Sequence, residues 1–345
     1  MKIDDEKLFS TIREYFTVYL PHQRCLSEHT IKSYRAAINQ FIDYLDAEQK
    51  IPIRKVSFSH FMNKHVNSYT DWLRDVRRCT DSTINQRLLA LRAFVKYCAT
   101  MNAENMKLYA DICKVPFRKT PSKMVEFFTE DALQTLLAQP DMLTRNGLRN
   151  GFFMILMYDT GARCQEMLNL RLRDFVIDTP SPYIYLTGKG AKTRAVPLMQ
   201  KTLAHYRSYV NQFHPESTRD RDDLLFYTVI HGQRNAMSPD TVAHFLRKLG
   251  KSARLQNLNV PENVHPHQFR HTRAIHLYRA GVPLTLVAEI LGHAQISTTQ
   301  IYAYADTEMK REAILKAAEK SSLSIDDTPC WKGNEDMIRK LYGLK

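Results

Sequence analysis

The sequence predicts a mainly α-helical protein with one small β-sheet, and three observations carry that expectation. Apolar residues recur at steps of three and four along most of the chain, the spacing of helices with one buried face. Only two runs, Tyr183–Thr187 (YIYLT) and 194–198 (RAVPL), read as strands, and they flank Gly188-Lys189-Gly190 as a hairpin flanks its turn. A basic stretch with two prolines, 115–123 (VPFRKTPSK), has little periodicity and divides the chain.

Taken in order, residues 5–20 place Leu8, Ile12, Phe16 and Tyr19 on one helical stripe. Ser27 stands before a second segment, 30–45, in which Ile31, Tyr34, Ile38, Phe41 and Leu45 recur. Ser82 precedes a third, with Ile84, Leu88, Leu91, Phe94 and Val95 on its apolar side. Its expected exposed side holds Arg87, Arg92 and Lys96, which read equally as a solvated face or as contacts to a DNA backbone. These elements give a helical domain over 1–114 and a basic linker over 115–126, whose Arg118 and Lys119 suit phosphates. A second domain over 127–320 and a tail over 321–345 follow. Thr129 is the expected N-cap of the second domain's first helix. Ser238-Pro239 opens another helix, through about Leu249, and helices resume at Pro266. In the tail, residues 337–342 form a short amphipathic piece after Trp331.

The 345 residues are 44% hydrophobic and 25% charged, the balance of a soluble globular chain with room for two cores. The longest apolar stretch, 151–158, is too short to span a bilayer, and the charged start MKIDDEKLF holds no apolar signal region. The six cysteines show no Cys-x-x-Cys spacing, which argues against a zinc site or a disulfide framework and fits a reducing cytoplasm. Lys and Arg number 49 against 36 Asp and Glu, a formal net charge of +13. That excess favours a polyanionic partner, because basic side chains on phosphates release condensed counterions, although a basic but ordinary enzyme has the same charge.

Three clusters hold the residue types that chemistry on a phosphate needs. In Thr160-Gly161-Ala162-Arg163-Cys164-Gln165-Glu166, Thr160 is the expected helix cap and Arg163 lies three residues from Glu166, which would orient its guanidinium. Alone, such a pair is as a rule a plain surface ion pair. In His265-Pro266-His267-Gln268-Phe269-Arg270-His271, the side chains of His267, Arg270 and His271 fall on one helical face. Histidines four apart also suit zinc, but Gln268 stands where a zinc protease motif needs Glu, and no third ligand is signposted. In the third cluster Gly292 ends a helix, His293 sits on a loop, and Ser297 with Gln300 reads as a capping box for a helix that carries Tyr302. A lone tyrosine there is more often a core aromatic with a satisfied hydroxyl.

In this order and at these separations, TGARCQEM, HQFRHTRA, LGH and TTQIY resemble the signature boxes of the tyrosine recombinase (phage integrase) family. Met167 and Phe269 replace leucines and keep apolar character. The resemblance covers residues 127–320 well and the helical start only in general pattern; it implies a helical N-terminal DNA-binding (SAM-like) domain and a catalytic domain. By this resemblance Tyr302 is the nucleophile, Arg163 and Arg270 hold the scissile phosphate, and His267 and His293 assist proton transfer. Lys189 is then the acid for the departing 5′ oxygen, favoured over Lys192 because Gly188-Lys189-Gly190 fits the family pattern. Glu166 and His271 match supporting positions. The resemblance also implies a 3′-phosphotyrosine intermediate, a Holliday junction, and a homo-tetramer on two duplexes of double-stranded DNA with inverted-repeat core sites. An accessory DNA-bending or directionality factor belongs to the same expectation, as does a carboxy-terminal helix, 309–318, packed onto a neighbouring protomer. No cofactor, metal or membrane is expected: the chain holds no P-loop and no acidic two-metal cluster. The other readings are a dimer resolvase, a type IB topoisomerase and a DNA-binding regulator without catalysis.

Overall fold

The stripe of Leu8 and Phe16 is buried in a helix, α1 (Ile3–Glu14), that continues as a wider π-helical segment, Tyr15–Gln23. Pro21 lies inside that segment and has no N–H to give to an α-helical bond. The computed structural model describes residues 3–120, 125–188, 190, 192–293, 295–305, 311, 314–315 and 334–344. By its internal packing the chain divides into two units, Met1–Lys123 and Met124–Lys345.

In the first unit Ser27 caps α2 (Glu28–Ala47), its hydroxyl accepting the Thr30 N–H. Two helices follow, α3 (Asn63–Asp75) and α4 (Asp81–Met101). The cap of α4 is Thr80, which has the extended backbone a cap needs and accepts the Thr83 N–H, so Ser82 lies inside the first turn. A fifth helix, α5 (Glu104–Ile112), completes a core around Phe41, Phe61, Tyr69, Leu91 and Phe94. Residues 115–118 are fastened to this unit. Val115 is buried, Arg92 donates to the carbonyls of Cys113 and Val115, and its guanidinium lies 4.3 Å from the Phe117 ring centre. The Arg118 guanidinium pairs with Asp71 at 2.9 Å, and its backbone N–H donates to Asn85.

In the second unit Thr129 caps α6 (Glu130–Leu137), and α7 (Arg145–Thr160) runs through the core with Phe152, Phe153, Leu156 and Met157 fully buried. After α8 (Cys164–Leu168), strands β1 (Phe175–Val176), β2 (Tyr183–Thr187) and β3 (Thr193–Pro197) form an antiparallel sheet in that order. A helix, α9 (Gln200–Phe213), leads to a second hairpin, β4 (Tyr227–Ile230) and β5 (Gln233–Ala236), so the unit holds two small sheets where the sequence predicted one. Its turn, His231-Gly232, has both residues at positive φ, but β5 (QRNA) is wholly exposed and so shows no hydrophobic alternation.

Ser238 caps α10 (Pro239–Gln256) as expected, but the helix runs past Leu249. Gly250 does not break it; it admits Val264, whose Cγ2 would lie 2.5 Å from a Cβ there. Next come α11 (Pro266–Arg279), α12 (Leu284–Leu291) and α13 (Ser297–Ala305), the last two separated by a turn that starts at Gly292. Ser297 is the first residue of α13 rather than its cap, since the Gln300 N–H donates to the Ile296 carbonyl. The stretch 309–318 lies outside the described residues except for Arg311, Ile314 and Leu315, as does Trp331. A final helix, α14 (Glu335–Leu341), is capped by Asn334 and has no buried residue. Among the described residues no helix is long and apolar enough to cross a membrane.

Candidate active site

The turn after α7, the turn after α12 and strand β3 meet in one place. At the end of α7, Thr160 donates its hydroxyl to the Leu156 carbonyl, so it closes that helix instead of capping the next. Gly161 then takes a left-handed φ of 61° and turns the chain into Arg163, at the start of α8. Arg163 gives its backbone N–H to Glu166 Oε2 at 2.9 Å and its Nη1 to Glu166 Oε1 at 2.7 Å, while Nη2 reaches the Gly292 carbonyl at 3.2 Å. The Glu166 carboxylate is buried. Burial acts to raise its pKa, but bonds from Arg194 and Arg163 overcome this and hold it near 2.

Arg194 was not singled out from the sequence. It binds both Glu166 oxygens, at 3.1 and 2.8 Å, and gives Nε to the Ile290 carbonyl at 2.8 Å. A signal for it existed: on β3, Arg194 alternates with the buried Val196, and a charge on the core face of a strand requires a buried partner.

Arg270, on α11, is 4% exposed and joins the two turns, giving Nη1 to the Gly161 carbonyl at 2.8 Å and Nη2 to the Leu291 carbonyl at 2.7 Å. Burial, then the charge of Arg163, lowers its pKa to about 10. Gly161 serves this joint twice, through its carbonyl and through its lack of a side chain: a Cβ would lie 2.6 Å from Leu291 Cδ2. Gly161→Ala is therefore expected to destabilise the fold by at least about 1–2 kcal/mol in urea unfolding, the cost of a left-handed residue with a Cβ.

Tyr302 lies on α13 and is 1% exposed, packed with Ala274, Ile275, Val287 and Leu291. Its hydroxyl is 3.0 Å from His271 Nδ1 and donates to it when that imidazole is neutral with its proton on Nε2. The rings of His267 and His271 stack at 6.3 Å, and those of His293 and Tyr302 at 6.4 Å. His293 Nδ1 is 2.8 Å from the hydroxyl of Thr299, a fully buried residue that the sequence reading also passed over. Behind the cluster Arg273 pairs with Asp159 at 3.3 Å, which links α11 to the end of α7.

The imidazoles are held neutral. Burial, reinforced by neighbouring histidines and arginines, lowers His267 and brings His271 to about 4; burial with Arg270, Arg163 and Arg194 brings His293 to about 4. Burial raises the Tyr302 pKa, against the pull of Arg270 and Arg163. For His271 and His293 the folded value lies below the ordinary 6.5, so between these values the unfolded chain binds more protons. Their contribution to stability is complete above pH 6.5 and falls as the pH drops towards 4. Unfolding midpoints measured between pH 7.5 and 4.5 are expected to decline less steeply in the His271→Gln/His293→Gln double variant than in the unaltered chain.

The structure thus brings together Arg163, Glu166, His267, Arg270, His271, His293 and Tyr302. Lys189 lies outside the described residues; beside it, the Gly188 N–H donates to the carbonyl of Lys192, whose side chain is exposed. Arg87, Arg92, Lys96, Arg118 and Lys119 lie in the first unit. Of these Lys96 and Lys119 are exposed; Arg87 and Arg92 are half-buried, contrary to the exposed row expected on α4, and Arg92 and Arg118 spend donors on their own unit. Among the described residues no group of three or more His, Cys, Asp and Glu is placed to hold a metal ion. What the arrangement offers is an anion site: two arginines, neutral imidazoles able to accept or donate a proton, and a phenol.

Each of the two units matches a known family of sequences. Residues 126–309 match the phage integrase family, and residues 12–103 match the phage integrase N-terminal SAM-like domain. Tyrosine recombinase XerC of Anoxybacillus flavithermus is 30% identical over 305 residues, 87% of this chain and 95% of the relative. Among solved structures, the XerH site-specific recombinase bound to difH substrate superposes with a TM-score of 0.62 at 22% identity, over 90% of this chain and 89% of that one. A lambda integrase tetramer bound to a Holliday junction does so with a TM-score of 0.60 at 14% identity, over 85% and 76% of the two chains. With both of its domains matched and its fold shared, the chain belongs to the phage integrase family and is a tyrosine recombinase, a site-specific DNA recombinase.

Proposed function

We propose that Tyr302 is the nucleophile of this recombinase, and the observation that carries the proposal is its hydroxyl, 3.0 Å from His271 Nδ1 and next to the Arg163–Arg270 pair. A phosphodiester is anionic and repels nucleophiles, so charge gathering on its non-bridging oxygens must be neutralised as phosphorus becomes five-coordinate. Arg163 and Arg270 do this. Each Nη carries two hydrogens, so the bonds to Glu166 and to the backbone carbonyls leave donors over for phosphate. Tyr302 Oη forms the new bond to phosphorus while the bond to the 5′ oxygen breaks. Its proton passes to an imidazole, with His267 and His293 assisting and Glu166 and His271 in support. Lys189 supplies the proton that the 5′ oxygen takes up. The 3′-phosphotyrosine ester keeps the bond energy, so a 5′ hydroxyl from a partner strand reverses the step without ATP.

On this reading 1–114 is the DNA-binding domain, 115–126 the linker and 127–320 the catalytic domain, and the chain's DNA contacts are Arg87, Arg92, Lys96, Arg118, Lys119 and Lys192. The working assembly is a homo-tetramer on two duplexes with inverted-repeat core sites, passing through a Holliday junction in the cytoplasm, with an accessory DNA-bending or directionality factor. The tetrameric lambda integrase on a Holliday junction supports this by its shared fold. The test uses purified chain with nicked duplexes tiled from the DNA flanking its gene, where the nick lets the cleaved fragment diffuse away. A covalent adduct on a denaturing gel that survives a chelator is the expected result. A DNA shift with no adduct would instead favour a binding protein.

A further inference from the structure

Three arginines from distant parts of the chain end on three consecutive carbonyls. Arg194 binds that of Ile290 at 2.8 Å, Arg270 that of Leu291 at 2.7 Å, and Arg163 that of Gly292 at 3.2 Å. These are the last carbonyls of α12 and its cap, groups that a helix leaves unbonded and that bear the negative end of its dipole. A second bracket joins two of the three. The Glu166 carboxylate receives the Arg163 N–H, Arg163 Nη1, Arg194 Nη1 and Arg194 Nη2, which fills the roughly four acceptor positions of a carboxylate. Both neighbouring glycines are packed on this pair: a Cβ on Gly188 would lie 2.8 Å from Glu166 Oε1, and one on Gly292 would lie 2.9 Å from Arg194 Nη1.

Arg163 and Arg270 have phosphate to bind. Every nitrogen of Arg194 is already bonded within the protein, Nη1 and Nη2 to Glu166 and Nε to the Ile290 carbonyl. We propose that Arg194 is a positioning residue: by bridging Glu166 to the end of α12 it sets where Arg163 presents its guanidinium to the scissile phosphate. The inference rests on the assignment of Arg163 to that phosphate. Without Arg194, half of the carboxylate's bonds and its tie to the end of α12 are lost, so the Glu166–Arg163 pair shifts together. Misplacement of a catalytic group by about 1 Å costs on the order of 10²-fold in rate.

The experiment compares two nicked duplexes from the DNA flanking the gene, one with the ordinary phosphodiester at the cleavage point and one with a methylphosphonate there. Replacing a non-bridging oxygen by methyl removes the negative charge that Arg163 serves, so a defect acting through Arg163 shrinks on the neutral substrate. Arg194→Ala is expected to lower strand cleavage by about 10²-fold on the phosphodiester and by less than about tenfold on the methylphosphonate, with DNA retention in a gel shift unchanged. Arg194→Lys keeps the charge without the fork, folds if the alanine variant does not, and should show the same preference with a smaller loss. Equal losses on both substrates, or no loss on either, would overturn the positioning role. If the unaltered chain cleaves neither substrate, the reading of Tyr302 and Arg163 fails and takes this inference with it.

Discussion

Tyr302→Phe is expected to abolish the covalent DNA adduct, a loss of more than about 10⁴-fold, while leaving DNA retention in a gel shift intact. The ring of residue 302 is a core element, packed with Ala274, Ile275, Val287 and Leu291, and phenylalanine keeps it. Only the hydroxyl goes, leaving His271 Nδ1 without its partner. The stability change should therefore be about 1 kcal/mol by urea unfolding, the ordinary worth of one hydrogen bond. An adduct that persists in this variant at an appreciable rate would mean that another side chain attacks phosphorus. A large stability loss with the adduct would leave folding as the cause, which is why both quantities are measured on the same preparation.

Arg270→Ala carries the next largest effect, and here catalysis and folding are both touched. Loss of one preorganised donor to the phosphate should lower adduct formation by about 10²- to 10³-fold. The same guanidinium satisfies the carbonyls of Gly161 and Leu291 in a site that is almost closed to water, and each carbonyl left unpaired costs about 1–3 kcal/mol. Unlike Tyr302→Phe, this variant is thus expected to melt several degrees lower as well. Arg270→Lys separates the two effects: it restores charge beside the phosphate but cannot reach both carbonyls at once, so it should recover more DNA retention than adduct.

The acid sensitivity of the protein should combine two sources with the same sign. Glu166 is held near 2 against an ordinary 4.5, so its ion pairs support the fold fully above pH 4.5 and are lost as the pH falls towards 2. His271 and His293 act over the higher window, from 6.5 towards 4. Below pH 6.5 the imidazoles weaken the fold first, and the carboxylate follows.

Much of the site was legible because its parts are local. Gly292 as a helix stop, Thr129 and Ser238 as caps, and the common face of His267, Arg270 and His271 all follow from backbone sterics and bonds spanning a few residues. A cap was misread where a turn intervened: Thr160 closes a helix and does not open one. The hairpin of β4 and β5 escaped because a strand with nothing buried leaves no hydrophobic pattern.

By itself the sequence determined a mainly helical chain of two domains, the spacing of its chemical groups and the family those groups resemble. Which groups touch was decided only by the tertiary structure. The Arg194–Glu166 bond spans 28 residues, the Tyr302–His271 bond 31, and the Arg163–Gly292 bond 129. No local pattern encodes such pairs. They form because buried charges and helix-end carbonyls, withdrawn from water, must find partners in whatever the fold places beside them.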